Sequence, residues 1–413
     1  MVSDWKKAQL QDVVSFADGT SFPLEYQGIQ DGSFPIYKVG DMNKDENTIH
    51  MTVSDNTLTR ESVGKLKAKV HPPETVIFPK VGAALLTNKR RILSRSSLFD
   101  NNVMGVVAKE GLDSKYLYYF MSTVDFAKHV QSGAVPSVNK TIVGSLDIQV
   151  PPLLEQRKIA AILTSIDDAI AATQRIIDQT EVVKLGLMQQ LLTKGIGHTT
   201  FKQTEAGEIP TAWDVVRLEE IATVERGKFS HRPRNDPKFY GGDIPFVQTG
   251  DVTRSIGYLE MHSQTLNELG LSVSRSFPKG TILVTIAANI GETAIASYDV
   301  CFPDSLVGVI PNSEVNGEYL ELALRMKKDA LDKDATQSAQ KNINLQNLRP
   351  LLLPLPPLEE QKKIAGTIYG LESKIKSEMR HQDALLKLKQ SLMQVLLTGK
   401  VRVNVDEPSE VSV

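Results

Sequence analysis

The sequence predicts an α+β protein made by tandem duplication. Each copy is a globular domain followed by a long helix, and the two helices pair as an antiparallel coiled coil. Three observations predict it. A block of 43 residues starting at Pro151 recurs 205 positions later at Pro356, without a gap and with 18 identities. Weaker matches lie upstream of both blocks: GSFPIYKVGD at Gly32 faces GDIPFVQTGD at Gly242, and MGVV at Met104 faces VGVI at Val307. Trp5 and Trp213, the two tryptophans, open the copies. A period near 205 residues is a domain, far longer than a solenoid repeat.

Residues 1–150 form the first globular domain. Short apolar or β-branched runs such as TVIF at Thr75 alternate with Gly, Pro and Asn, the pattern of short strands between turns. A helical patch is expected from Lys115 to His129. Residues 151–195 form the first long helix: Pro151 and Pro152 end an extended stretch and sit where a helix can begin. Its apolar steps, Ile159, Leu163, Ile166, Ile170, Ile177, Leu187 and Leu191, follow a three-four seam interrupted by Thr173, Thr180 and Lys184. A helix of about 40 residues is about 60 Å long, longer than one small domain requires.

Residues 196–355 repeat the globular pattern, with TILVTI at Thr281 as a strand and Glu318 to Asp332 as a helical patch. Residues 356–400 repeat the long helix, with Ile364, Ile368, Leu371, Ile375, Leu385, Leu392 and Leu396 on the seam and Glu378, Gln382 and Lys389 interrupting it. Residues 401–413 are acidic and expected to be a disordered tail.

Composition narrows the function classes. Lys plus Arg number 47 against 49 Asp plus Glu, so no basic coat covers the chain. A single cysteine, Cys301, excludes an internal disulfide and a cysteine-based zinc site. No apolar run reaches the roughly 18 residues of a membrane span, and the start lacks the apolar stretch of a signal peptide; a cytoplasmic location is expected. No phosphate-binding Gly-x-x-x-x-Gly-Lys-Ser/Thr, Gly-x-Gly-x-x-Gly or Gly-x-Ser-x-Gly sequence occurs. The seven histidines are scattered without ligand spacing, and no metal site is expected. The residues point to a chain that catalyses nothing itself.

Charge becomes informative when counted by segment. Residues 1–150 carry 17 basic and 16 acidic groups, residues 196–355 carry 16 and 20. Against that neutral background, Lys80, Lys89, Arg90, Arg91 and Arg95 lie between Thr75 and Phe99 with no acid. Arg226, Lys228, Arg232, Arg234 and Lys238 lie together with Asp236 alone. Arginine suits bidentate contacts to guanine edges and phosphates, and lysine suits phosphates. Lys89, Arg90, Arg91 and Arg95, with Arg226, Lys228, Arg232, Arg234 and Lys238, are therefore the candidate DNA-binding residues. The clusters fall at different places in the two copies, as similar scaffolds reading different sequences would have them. A solvated surface run is the bland alternative for each.

The doubled Pro-Pro-Leu-x-Glu-Gln-x-Lys-Ile-Ala segment, its Leu-Met-Gln-x-Leu-Leu-Thr end and the half-chain spacing resemble the specificity subunit of Type I restriction–modification systems. The resemblance runs from Trp5 to about Thr398. It implies two target recognition domains, each reading one half of a split, asymmetric DNA sequence, with the helices setting the spacer. It implies docking of two methyltransferase subunits, and motor-nuclease subunits beyond them. S-adenosylmethionine, ATP and Mg would then be bound by those partners and none by this chain. Glu155, Gln156, Glu360 and Gln361 match between the copies and are candidates for partner docking; a Glu early in a helix also complements its positive end. A related chain of a Type II-like enzyme cutting at split sites, and a coiled-coil scaffold without a DNA role, are the alternatives.

Overall fold

The computed structural model describes residues 5–130, 135–287, 289–336 and 342–404. The expected acidic tail falls mostly outside them, from 405 onward. The chain forms two compact units, and these cut across the sequential segments. Residues 1–172 with 382–413 form the first, and residues 173–381 form the second. Each unit therefore contains one globular segment, part of one long helix and the opposite part of the other.

In the first unit a five-stranded sheet has the order Val14–Asp18, Val103–Ala108, Val76–Pro79, Arg91–Leu93, His50–Met51. Its pairs are antiparallel except the last, where His50–Met51 runs parallel to Arg91–Leu93. A smaller sheet places Phe34–Tyr37 between Thr57–Leu58 and Leu98–Phe99. The second unit repeats this plan. Its five strands are Ala222–Arg226, Leu306–Pro311, Ile282–Thr285, Thr293–Ala296 and Tyr258–Leu259, again with the last pair parallel. Tyr240–Phe246 takes the place of Phe34–Tyr37, between Gln264–Leu266 and Val300–Cys301. The expected strands TVIF and TILVTI are both central, buried members of their sheets. Cys301 is buried too, and burial raises its thiol pKa, as suits a core side chain.

The helical patch expected over Lys115–His129 is shorter than its apolar pattern. The helix covers Ser114–Thr123, capped by Asp113, whose carboxylate accepts from the Lys115 and Tyr116 amides at 3.0 Å. It stops because Val124 is extended and Asp125 caps a separate turn over Phe126–Lys128. The corresponding patch of the second unit is also broken, into Gly317–Arg325, capped by Asn316, and Lys328–Thr336.

The long helices span Leu153–Lys194 and Leu358–Leu396 without interruption. In the first unit Ile159 and Leu163, near the start of one helix, share a core with Leu396 and Leu397 at the end of the other. In the second unit Met188 and Leu192 share a core with Ile364 and Ile368. The pairing is antiparallel. The seam's polar interruptions face inward as well: Thr173 and Thr180 are buried, and Lys389 reaches the buried Asp167 at 2.5 Å within the first unit.

Candidate nucleic-acid interface

A close backbone approach constrains homologous turns in the two repeats, and in the second repeat the basic loop starts at that turn. After Val14–Asp18 comes Gly19, and after Ala222–Arg226 comes Gly227. A Cβ on Gly19 would stand 1.9 Å from the Asp100 carbonyl oxygen, and one on Gly227 2.3 Å from that of Pro303. Only glycine lets the strand end pass so near the loop beneath it.

In the second unit all five basic candidates, Arg226, Lys228, Arg232, Arg234 and Lys238, are exposed. The sequence reading missed the residue that gathers them, Asp304. Its carbonyl accepts from Arg226 Nε at 2.6 Å, and its carboxylate binds Arg232 at 3.3 Å and also Arg234. Asp236 holds Lys238 at 3.1 Å and His231 at 3.5 Å. Behind the loop Phe229 packs on Phe239, Tyr240 and Phe246 at 5.3–5.9 Å between ring centroids. Beside this cluster opens a cleft of about 300 Å³, lined by Phe229, Arg234, Tyr240, Phe246, Gln248 and Gln264 among others. Pairs of surface cations, aromatic faces and amides are the equipment of nucleic-acid recognition.

The first unit's cluster is divided. Arg95 is exposed, and Lys89 is half-buried against Asn43. Arg90 corrects the expectation. It is 3% exposed, donating to the carbonyls of Met121 at 3.0 Å and Val124 at 2.9 Å, with its guanidinium 4.1 Å over the Phe126 ring. Burial pushes its pKa down to about 10. A cation so spent on closing the end of a helix has no donor to offer DNA. Arg91 is half-buried and donates to the Met42 carbonyl at 2.9 Å, and burial lowers its pKa as well.

The four docking candidates are likewise turned inward. Gln156 is fully buried: its oxygen accepts from the Asp113 amide at 2.7 Å, and its nitrogen donates to the Gly111 and Pro151 carbonyls at 2.9 and 2.7 Å. Gln361 does the same for Asn316 at 2.9 Å and Pro356 at 2.8 Å. Each glutamine thus fastens the start of a long helix to the cap of the shorter helix beside it. Glu155 accepts from Trp5 and Arg402, and Glu360 accepts from Trp213, His198 and the Ile196 amide. These internal bonds account for their match between the copies.

Two further residues were missed, Asp41 and Asp251, although the shared Gly-Asp that closes GSFPIYKVGD and GDIPFVQTGD was visible in the sequence. Both are buried. Among the described residues no three His, Cys, Asp or Glu side chains gather in a metal-binding group, and no helix is long and apolar enough to cross a membrane.

Comparison with known proteins agrees with this duplicated geometry. The family model described as Type I restriction modification DNA specificity domain matches twice, over residues 2–182 and 210–387. The Type I restriction enzyme MjaVIII specificity subunit of Methanocaldococcus jannaschii is 31% identical over 309 residues, covering 71% of each chain. The Type I restriction enzyme EcoBI specificity subunit of Escherichia coli is 22% identical over 89% of this chain and 79% of that one. A crystal structure of the Type I restriction–modification S subunit from M. genitalium superposes with a TM-score of 0.61 at 13% identity, covering 96% of both chains. With two copies of the matched domain occupying most of its length, the chain belongs to the Type I restriction modification DNA specificity family.

Proposed function

We propose that the two units read the two halves of a split DNA sequence, the second through the loop Arg226–Lys238 and its cleft, the first through Arg95, Lys89 and the neighbouring turns. The observation that carries this reading is one scaffold built twice with different side chains at its loops. The cations gathered by Asp304 would exchange that carboxylate for phosphates or guanine edges. The chain performs no catalytic step in this proposal: methyltransferase subunits supply S-adenosylmethionine, and motor-nuclease subunits supply ATP and Mg. The seat for those partners lies on exposed apolar positions of the long helices, such as Val182 and Leu185, 71% and 61% exposed, rather than on the inward-bonded side chains of Glu155, Gln156, Glu360 and Gln361.

The test is DNA selection by the full chain co-expressed with the methyltransferase subunit of its system. A bipartite motif is expected from randomised duplexes at moderate salt. Arg232→Ala with Arg234→Ala should weaken selection in one half-site, each bidentate base contact contributing about 1–3 kcal/mol. Unchanged binding and methylation by that variant would remove the loop from the interface.

A further inference from the structure

Lys38 and Gln248 occupy the same position in the two repeats, directly after Phe34–Tyr37 and at the second residue after Tyr240–Phe246. Asp41 fixes the first: its carboxylate accepts from the Lys38 amide at 2.7 Å. Asp251 fixes the second in the same way at 2.8 Å. Both aspartates are held in turn. Asp251 accepts from Ser263 Oγ at 2.9 Å and Arg254 at 2.7 Å, and Asp41 from the Asp55 amide at 3.2 Å and Lys44 at 3.1 Å. Burial leaves Asp41 2% and Asp251 5% exposed, so both backbones are pinned from inside.

The side chains mounted on these matching anchors differ. Lys38 is half-buried and meets Gln27 Oε1 at 3.0 Å; Gln248 is half-buried and donates to Gln264 Oε1 at 2.8 Å. Gln248 and Gln264 line the aromatic cleft beside Arg234, at the edge of the basic loop. The invariant part is the buried carboxylate, and the variable part is a half-buried polar side chain, which in the second unit lines the cleft. A rigid backbone carrying an exchangeable polar side chain is what a base-reading position requires.

Resting on the DNA-reading function proposed above, we infer that Lys38 and Gln248 are equivalent specificity-determining positions, Lys38 reading a guanine and Gln248 an adenine. The lysine ammonium offers donors alone, matching the guanine O6 and N7 acceptors. The glutamine amide offers a donor and an acceptor, matching adenine N6 and N7. Asp41 and Asp251 are positioning residues that act through the backbone.

The experiment selects bound sequences from randomised duplexes with the full chain and its methyltransferase partner, comparing wild type, Gln248→Lys, Gln248→Glu and Lys38→Gln. Gln248→Lys installs the side chain the other repeat already carries there. It should move one position of one half-site from A·T toward G·C, with roughly tenfold or greater loss on the original base. Gln248→Glu should move the same position toward cytosine, whose N4 donates, and it keeps the test open if the lysine variant does not fold. Lys38→Gln should change the other half-site from G·C toward A·T. Folded variants that select the wild-type motif, or that weaken all positions equally, would overturn the inference while leaving the proposed function intact. A wild-type complex that selects no motif would overturn both.

Discussion

Trp213 donates its indole N–H to Glu360 Oε2 at 3.0 Å, and Trp5 donates to Glu155 Oε2 at the same distance. The tryptophan that opens each repeat is thus bonded to the glutamate that opens its following long helix. The carboxylate is completed from the segment after the other helix: His198, beyond Lys194, reaches Glu360 at 2.9 Å, and Arg402, beyond Leu396, reaches Glu155 at 2.8 Å. One chemical arrangement therefore closes each unit, with a histidine in one and an arginine in the other.

Removing a carboxylate should cost stability rather than specificity. Trp213 is fully buried, and Glu360→Ala strips partners from its indole, from His198 and from the Ile196 amide. A loss of about 2–4 kcal/mol is expected, with Glu360→Gln losing less because an amide oxygen still accepts. Denaturant unfolding of the second unit, followed by tryptophan fluorescence, checks this.

Glu155 links stability to pH. Burial alone would raise its pKa, but Arg402 and Trp5 outweigh burial and hold the carboxyl below its usual value. The folded state then binds fewer protons than the unfolded chain. Its contribution is complete above the unfolded pKa of roughly 4.3 and is lost as pH falls through the depressed folded value. Arg402→Met should move the acid-unfolding midpoint of the first unit to higher pH. A midpoint unchanged between wild type and variant, measured by circular dichroism along a pH series, would contradict the linkage.

Arg90 and Arg95, five residues apart, should separate cleanly. Arg90→Met removes the guanidinium donor from the Met121 and Val124 carbonyls and should destabilise the first unit by about 2–3 kcal/mol, with DNA selection unchanged. Arg95→Ala, at an exposed position, should leave thermal stability within about 0.5 kcal/mol and weaken DNA binding. The paired melting curves and binding isotherms decide it.

Asp304 should act as a brake on the basic loop. Asp304→Asn releases Arg232 and Arg234 from their carboxylate and should tighten non-specific DNA binding. The slope of log affinity against log salt should steepen by roughly one unit, as one more phosphate contact is made. A salt titration in which wild type and variant give the same slope would assign those arginines to loop folding alone.

The duplication, the strands and the helix seam were legible because each depends on periodic or repeated residues. Ile159, Leu163, Ile364 and Ile368 are all fully buried where the three-four pattern put them. Charge clusters were less legible, since sequence counts a cation without showing where it points. Arg90 and Arg95 look alike in one basic run, yet a helix end and the Phe126 ring claim the first. Asp304 was invisible for the opposite reason: it lies about 70 residues from the arginines it binds. At Glu155, Gln156, Glu360 and Gln361 identity between the copies accompanies shared internal bonding, which repeat matching does not distinguish from a shared partner surface.

The helices carry a prediction about the unread bases between half-sites. They match without a gap over 43 residues, while the loops of the globular segments differ in length, so the register along the helical segments is the conserved dimension of the two repeats. Asp178 lies within the 42-residue helix and Asp383 within the 39-residue one. Four residues inserted after each would add roughly 6 Å and a rotation of about 40°. At about 3.4 Å per base pair that is one or two more spacer pairs. A seven-residue insertion at both points keeps the heptad seam in phase and should add about three, protecting the experiment against a broken pairing. The half-site sequences should stay the same, since no loop is altered. Methylation mapping in cells expressing each variant with its partners reads the spacer directly. An active variant that methylates the original spacing would show that contacts to the partner subunits, and not helix length, set the distance.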